Sequence, residues 1–273
     1  MNDTPPPLFD PIARARARAR AERFDDSGDF LRREVADRML ERLADINRPF
    51  LTRIDLGGRM RDPAFRTVPL TETLDLATGE ADLITSVLDL HAVNDPLGIL
   101  IQASRALKPD GFLLFSLFGG DSLSELRAAL LEAESSLSGG AAQRVFPMAD
   151  VRDMGSLLQR AGLALPVADV DRITVTYDHP LKLMADLRAM GEINSLQARS
   201  RKPLRRDVLA RACEIYQSRH GQPDGRIPAT FDILYLAGWR PHPGQQKPAK
   251  RGSGQVGLAE ALIAAQRGEK KIK

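Results

Sequence analysis

ADLITSVLDLHAVNDPLGILIQASRALKPDGFLLFSLF, residues 81–118, decides the fold. Its first eight residues are continuously apolar at their centre, as a strand is when both faces of a parallel sheet are covered. Asn94 or Asp95 then offers a side-chain oxygen to cap a helix, and Pro96 brings the fixed φ that suits a first helical turn. Lys108, Pro109 and Gly111 end that helix, and GFLLFSLF follows at once as a further apolar strand. Strand, capped helix and strand in succession predict a parallel α/β sheet with right-handed crossovers. Ligands of such sheets collect at the carboxyl ends of the strands, which directs attention to residues 55–58, 88–93 and 118–121.

The first of these segments lies in RIDLGGRMRD, residues 53–62. An apolar strand, 51–56, runs into Asp55 and the pair Gly57 and Gly58, which lets the backbone turn tightly. A nucleotide-binding loop would continue with further glycines and the N-terminus of a helix. Arg59, Met60 and Arg61 stand there instead, so a plain turn and a small-molecule edge are both open readings. In the third segment Phe118, Gly119, Gly120 and Asp121 precede Ser122 and Glu125, which are spaced as a capping box for the next helix. One of the two glycines suffices for a turn; close approach to a ligand is one reason for a second.

Outward from these strands, 29–46 places apolar residues at helical spacing and predicts an amphipathic helix leading into the sheet. Residues 149–162 predict a short helix closed by Gly162, 180–190 and 203–219 inserted helices, and 168–177 with 228–239 an antiparallel edge. The run IARARARAR, 12–20, repeats every two residues and so scatters charge around a helix axis. A solvated basic helix is expected, with docking on an acidic partner or a membrane surface as the other reading. The resulting organisation is a helical arm over 1–48, an α/β domain with a helical insertion over 49–240 and a loosely ordered tail over 241–273, rich in Pro, Gly, Gln and Lys.

Composition narrows the function classes. At 273 residues, 43% hydrophobic and 27% charged, the chain has the make-up of a globular protein, and no apolar run approaches the ~20 residues of a membrane helix. Lys and Arg number 39 against 36 Asp and Glu, so the net charge of +3 does not argue for nucleic acid. A single cysteine, Cys213, excludes an internal disulfide and a multi-cysteine metal site. His91, His179, His220 and His242 lie far apart with no ligand spacing, so no metal is expected. The opening residues lack the apolar core of a secretory signal, and a cytoplasmic protein is expected, peripheral at a membrane through a partner.

The motifs LFD with the basic helix after it, LDLHAVND, RALKPDGFLLFSLFGGDSLSELR, DLRAMGEIN, RIPATFDILYLAGW and KPAKRGS carry a resemblance over most of the chain. They resemble the class I methyltransferase fold and, within it, the methyltransferase-like assembly factors of respiratory complex I, with malonyl-carrier-protein methyltransferases a more distant likeness. The resemblance implies AdoMet as the candidate cofactor, held by Asp55, Gly57, Gly58, Leu88 and Asp89. It implies His91 as the candidate catalytic residue, with a structural histidine as the other reading, while the strand-end position makes Phe118, Gly119, Gly120 and Asp121 the candidate edge facing substrate or partner.

The chain departs from that family at the first motif, where a glycine is missing, and between Gly58 and Asp82, where 23 residues replace a helix, a strand and another helix. The expected fold is therefore a Rossmann-like class I methyltransferase fold shortened by one strand and its flanking helices. Leu70 stands where an acid contacting adenine is expected, with Glu72 and Asp75 as the nearest substitutes. The leading expectation is a pseudoenzyme with an eroded AdoMet site that binds a protein partner, a respiratory complex I subunit, in assembly or modification. The alternatives are an active AdoMet-dependent methyltransferase with a rebuilt site and an arginine hydroxylase-like modifier.

Overall fold

The structure is a computed structural model that describes residues 6–24, 26–246 and 257. Its strands are β1 (Arg53–Leu56), β2 (Phe65–Val68), β3 (Ala81–Ser86), β4 (Leu107–Gly119), β5 (Ala164–Tyr177) and β6 (Ile227–Trp239). They form one sheet in the order β2-β1-β3-β4-β6-β5. The first four strands are parallel, while β6 runs antiparallel to both β4 and β5. The helices are α1 (Pro11–Ala21), α2 (Phe30–Ala44), α3 (Pro96–Ala106), α4 (Ser124–Ser138), α5 (Val151–Arg160), α6 (Pro180–Ala189) and α7 (Arg206–His220).

Period-two alternation along β4 builds the core on both sides of the sheet. Phe112, Leu114 and Phe118 pack with α2, α4, α6 and α7, while Leu113, Phe115 and Leu117 pack with α3 and α5. At the start of α3, Asp95 accepts the Gly98 N–H at 2.7 Å, which makes Asp95 the cap. Asn94 instead accepts the Phe9 N–H at 2.8 Å and donates to the Phe9 carbonyl at 3.1 Å, fastening the segment before α1.

Strand β1 starts at Arg53, two residues later than expected, because Leu51 is exposed. Neither connection around β2 contains a helix. Eight extended residues reach roughly 26 Å and a four-residue strand spans roughly 13 Å, so the short link over 57–64 can still return to pair β2 parallel to β1. The capping box expected from Ser122 and Glu125 does not form. The Ser122 hydroxyl donates to the Asp232 carbonyl and accepts the Asp232 N–H, and Glu125 accepts the Thr230 N–H, so both side chains bind β6. The residue before α4 is Leu123, whose φ of 57° is left-handed.

Residues Met1–Pro241 form one compact unit and His242–Lys273 another. In the second, the Gln245 N–H donates to the His242 carbonyl at 3.1 Å. The rest of the tail expected from 241 onward, including the KPAKRGS motif, lies outside the described residues apart from Gly257.

Candidate functional site

The carboxyl ends of β1 and β3 meet in a buried cluster of charges. Asp55, at 1% exposure, accepts the Arg59 and Met60 N–H groups at 2.5 and 3.0 Å on one oxygen and the Thr85 hydroxyl at 3.0 Å on the other. Its carboxyl therefore organises its own loop, and Met60 turns into the core between α2 and β2. Burial is the largest influence on Asp55 and pushes its pKa up to about 6. Gly57 takes φ 99° and Gly58 φ 71°, conformations that favour glycine. A Cβ on Gly57 would lie 2.2 Å from Asp89 Oδ2, and one on Gly58 would lie 2.8 Å from Thr67 Cγ2. Leu88 is buried at φ 50°, an uncommon conformation for a branched side chain, and its N–H donates to the Ser116 carbonyl at 3.0 Å.

The charges that meet Asp89 come from the arm, which corrects the expectation of a solvated basic helix. Hidden in the two-residue repeat are Arg14, Ala17, Arg18 and Ala21, which share one face of α1. Ala17 and Ala21 are small enough to let that face approach, and Arg14 is buried. Asp10 starts the helix by accepting the Ala13 N–H at 3.0 Å. Arg18 reaches Asp89 at 2.5 Å and Arg14 reaches it at 3.6 Å. Asp89 Oδ2 has no hydrogen-bond partner among the described residues.

Glu192, on the segment after α6, completes the cluster. Its two oxygens accept Arg14 Nη1 at 2.7 Å and Nη2 at 3.1 Å, a bidentate clamp, and Oε1 also accepts Arg32 Nη2 at 2.8 Å. His91 Nε2 lies 3.0 Å from Oε2. Burial alone would push the Glu192 carboxyl up, yet the Arg14 and Arg32 charges, with the hydrogen bond from His91, hold it well below the usual carboxylate range. For His91 burial prevails and lowers the pKa, so the ring is neutral at pH 7. Arg32 also pairs with Asp29 at 3.2 Å, and Asp29 with Arg61 at 2.6 Å.

The sequence-predicted residues thus fall into two groups. Asp55, Gly57, Gly58, Leu88, Asp89 and His91 converge, and His91 also contacts Phe118, with ring centroids 4.9 Å apart, and stacks on Phe146 at 5.9 Å. Gly119, Gly120 and Asp121 turn toward β6. A Cβ on Gly119 would lie 2.4 Å from Leu234 Cγ, and one on Gly120, at φ 46°, would lie 2.9 Å from Asp232 Oδ2. The Asp121 N–H and the Arg172 guanidinium both engage Asp232, at 3.1 and 2.7 Å. Close strand packing accounts for both glycines.

Arg14, Arg18, Arg32, Arg59 and Glu192 belong to the cluster; the sequence marks Arg14 and Arg18 only as part of the basic run and Arg59 only as an interruption of a glycine loop, and it does not mark Arg32 or Glu192. The only local sign of Glu192 is that it follows Gly191 in the DLRAMGEIN motif. Among the described residues no group of three or more His, Cys, Asp or Glu side chains is arranged to hold a metal. No described helix is long and apolar enough to cross a membrane.

Beside the cluster, an apolar cavity of about 200 Å³ lies against Phe118, Phe146 and Glu192. A groove of about 1000 Å³ lined by arginines shares Arg144, Arg188, Ile193 and Asn194 with it.

Comparison with known proteins places these features. A family model described as a methyltransferase domain matches residues 5–166. The mitochondrial protein named arginine-hydroxylase NDUFAF5 of Danio rerio is 36% identical over 286 residues, spanning 93% of this chain and 89% of that protein. The human protein of the same name is 36% identical over 264 residues, spanning 85% of this chain and 76% of its own length. The malonyl-[acyl-carrier protein] O-methyltransferase of Laribacter hongkongensis is 39% identical over 181 residues, spanning 66% of this chain and 58% of that protein. The six-stranded mixed sheet agrees with a Rossmann-like methyltransferase architecture.

Proposed function

This chain belongs to the family of methyltransferase-domain proteins related to arginine-hydroxylase NDUFAF5, and from that premise we propose that it binds a protein partner in the assembly or modification of respiratory complex I. On this reading the place where methyltransferases hold AdoMet has become a structural charge cluster. The observation that carries it is the state of Asp55 and Asp89. Asp55 is engaged by its own loop and Thr85, and Asp89 is held by Arg18 and Arg14 from α1.

Of the groups that AdoMet would need, the Asp55 carboxylate is taken up by its own loop and Thr85, Asp89 is left with Oδ2 alone, and the acid for the ribose is missing. A ribose calls for an acid at the end of the strand beside β1, and β2 ends instead at Val68, followed by Pro69 and Leu70. Glu72, the nearest substitute, is exposed. The residues present do not fit the cofactor.

One observation favours a second reading, in which the modified residue on the partner is an arginine. The Danio rerio and human relatives are named arginine-hydroxylase, and here a guanidinium, that of Arg14, lies bidentate on Glu192 beside an apolar cavity.

Two measurements test the proposal. Calorimetric titration with AdoMet is expected to give a dissociation constant weaker than about 100 μM; micromolar binding with methyl transfer would restore an active methyltransferase. In a deletion strain, complementation with Asp89→Asn is expected to impair complex I activity while the protein stays folded. Full complementation by that variant would remove the cluster from the function.

A further inference from the structure

The apolar cavity and the arginine groove share Arg144, Arg188, Ile193 and Asn194 in their walls and so lie side by side, with the groove next to the cavity. We propose that together they are a binding site for a single-chain anionic lipid, with the chain in the cavity and the charged head among the arginines. This inference is independent of the partner reading above.

The two halves differ in chemistry. Leu123, Leu126, Leu130, Val145, Met184 and Leu204 wall the cavity, with Phe118 and Phe146 against its end. The acid that reaches it, Glu192, has its charge taken up by Arg14 and Arg32 and presents none to a ligand. Arg20, Arg23, Arg144, Arg188, Arg199 and Arg201 line the groove, and no carboxylate does. Arg144 pairs with Glu134, and Arg199 and Arg201 with Asp10. Arg20, Arg23 and Arg188 have no ion pair among the described residues and are exposed.

In a chain whose net charge is only +3, unpaired cations gathered in one groove raise the local potential for an anion. Charge selects the head and apolar surface selects the tail. A free phosphate uses only the groove, and a neutral chain uses only the cavity. Only a molecule with both parts satisfies both halves, and a cavity of about 200 Å³ has room for one short chain.

Calorimetric titration of the full chain with monomeric decyl phosphate, decanol and inorganic phosphate tests the site. Decyl phosphate is expected to bind one to one and at least about tenfold tighter than either of the others. The double variant Arg23→Glu with Arg188→Glu, at exposed unpaired positions, is expected to fold normally and to lose about tenfold or more in decyl phosphate affinity. Met184→Trp, which fills the cavity, is expected to abolish the advantage of decyl phosphate over inorganic phosphate. The proposal is overturned if decyl phosphate binds no tighter than inorganic phosphate, or if the folded charge-reversal variant binds it unchanged. Adsorption to phosphatidylglycerol vesicles without a one-to-one complex with the monomer also overturns it.

Discussion

The inner and outer faces of α1 carry the same residue type and meet opposite surroundings. Arg14 and Arg18 enter a cluster in which they, with Arg32 and Arg59, face Asp29, Asp55, Asp89 and Glu192. Arg20 faces a groove that no carboxylate lines. The difference teaches how burial governs charge. An ion taken out of water must be matched by a neighbour, whereas an ion in contact with solvent can stay unmatched and wait for a ligand. Hence the buried side acts as a closed structural joint between arm and sheet, and the open side retains binding capacity.

The comparison breaks most readily at Glu192, which joins arm, α2 and His91 in one place. Glu192→Ala leaves Arg14 and Arg32 buried with reduced compensation. A loss of about 3–5 kcal/mol is expected, the range for removing one partner of a buried pair, read as a lower midpoint in urea unfolding. A loss under about 1 kcal/mol would mean that water already reaches these charges and that the joint is not closed.

Protonation sharpens the same contrast. Asp55 has a folded pKa of about 6, raised chiefly by burial, above its value of about 3.9 in the unfolded chain. Between those values the folded state holds the proton more tightly, so stability falls as pH rises from about 4 to about 6, by up to about 3 kcal/mol. Glu192 works in the opposite sense. Its folded pKa is well below normal, so its contribution is present above the unfolded value and is lost as pH falls through the folded one. Asp55→Asn is therefore expected to gain stability relative to the native chain as pH rises from about 4 to about 6, with a constant difference above that. Urea unfolding over this range checks the slope, and a flat difference would show that Asp55 is not buried against solvent.

The framework was legible in the sequence because its signals are local. The apolar run at β3, the Asp95 and Pro96 start of α3 and the antiparallel β5–β6 pair depend on neighbours in the chain. The site was half legible. Asp55, Asp89 and His91 stand at strand ends, where topology alone brings them together. Their partners were not legible, because a two-residue Arg repeat has no hydropathy period to mark which arginines face inward. Glu192 is 101 positions from His91, and nothing near it announces that its charge will be buried. The capping box misled for a related reason: Ser122 and Glu125 have the right spacing, but β6 supplies competing partners that only the tertiary fold brings within reach.

The finest test uses the two faces of α1 against each other. Arg14→Met keeps much of the aliphatic stem and removes the guanidinium, but Glu192 keeps Arg32 and His91, and Asp89 keeps Arg18. The expected loss is about 2 kcal/mol, the scale of hydrogen bonds to a charged group and less than that for Glu192→Ala. Arg20→Met alters an exposed residue of the same helix with no ion pair among the described residues, and its stability is expected to stay within about 0.5 kcal/mol of the native chain. Salt separates the two further. Screening acts on charges in contact with solvent and much less on buried pairs, so added salt should weaken decyl phosphate binding in the groove while leaving the Arg14→Met deficit nearly unchanged. If Arg20→Met instead cost as much stability as Arg14→Met, the outer face would be part of the joint, and the groove could not hold its arginines in reserve for an anion.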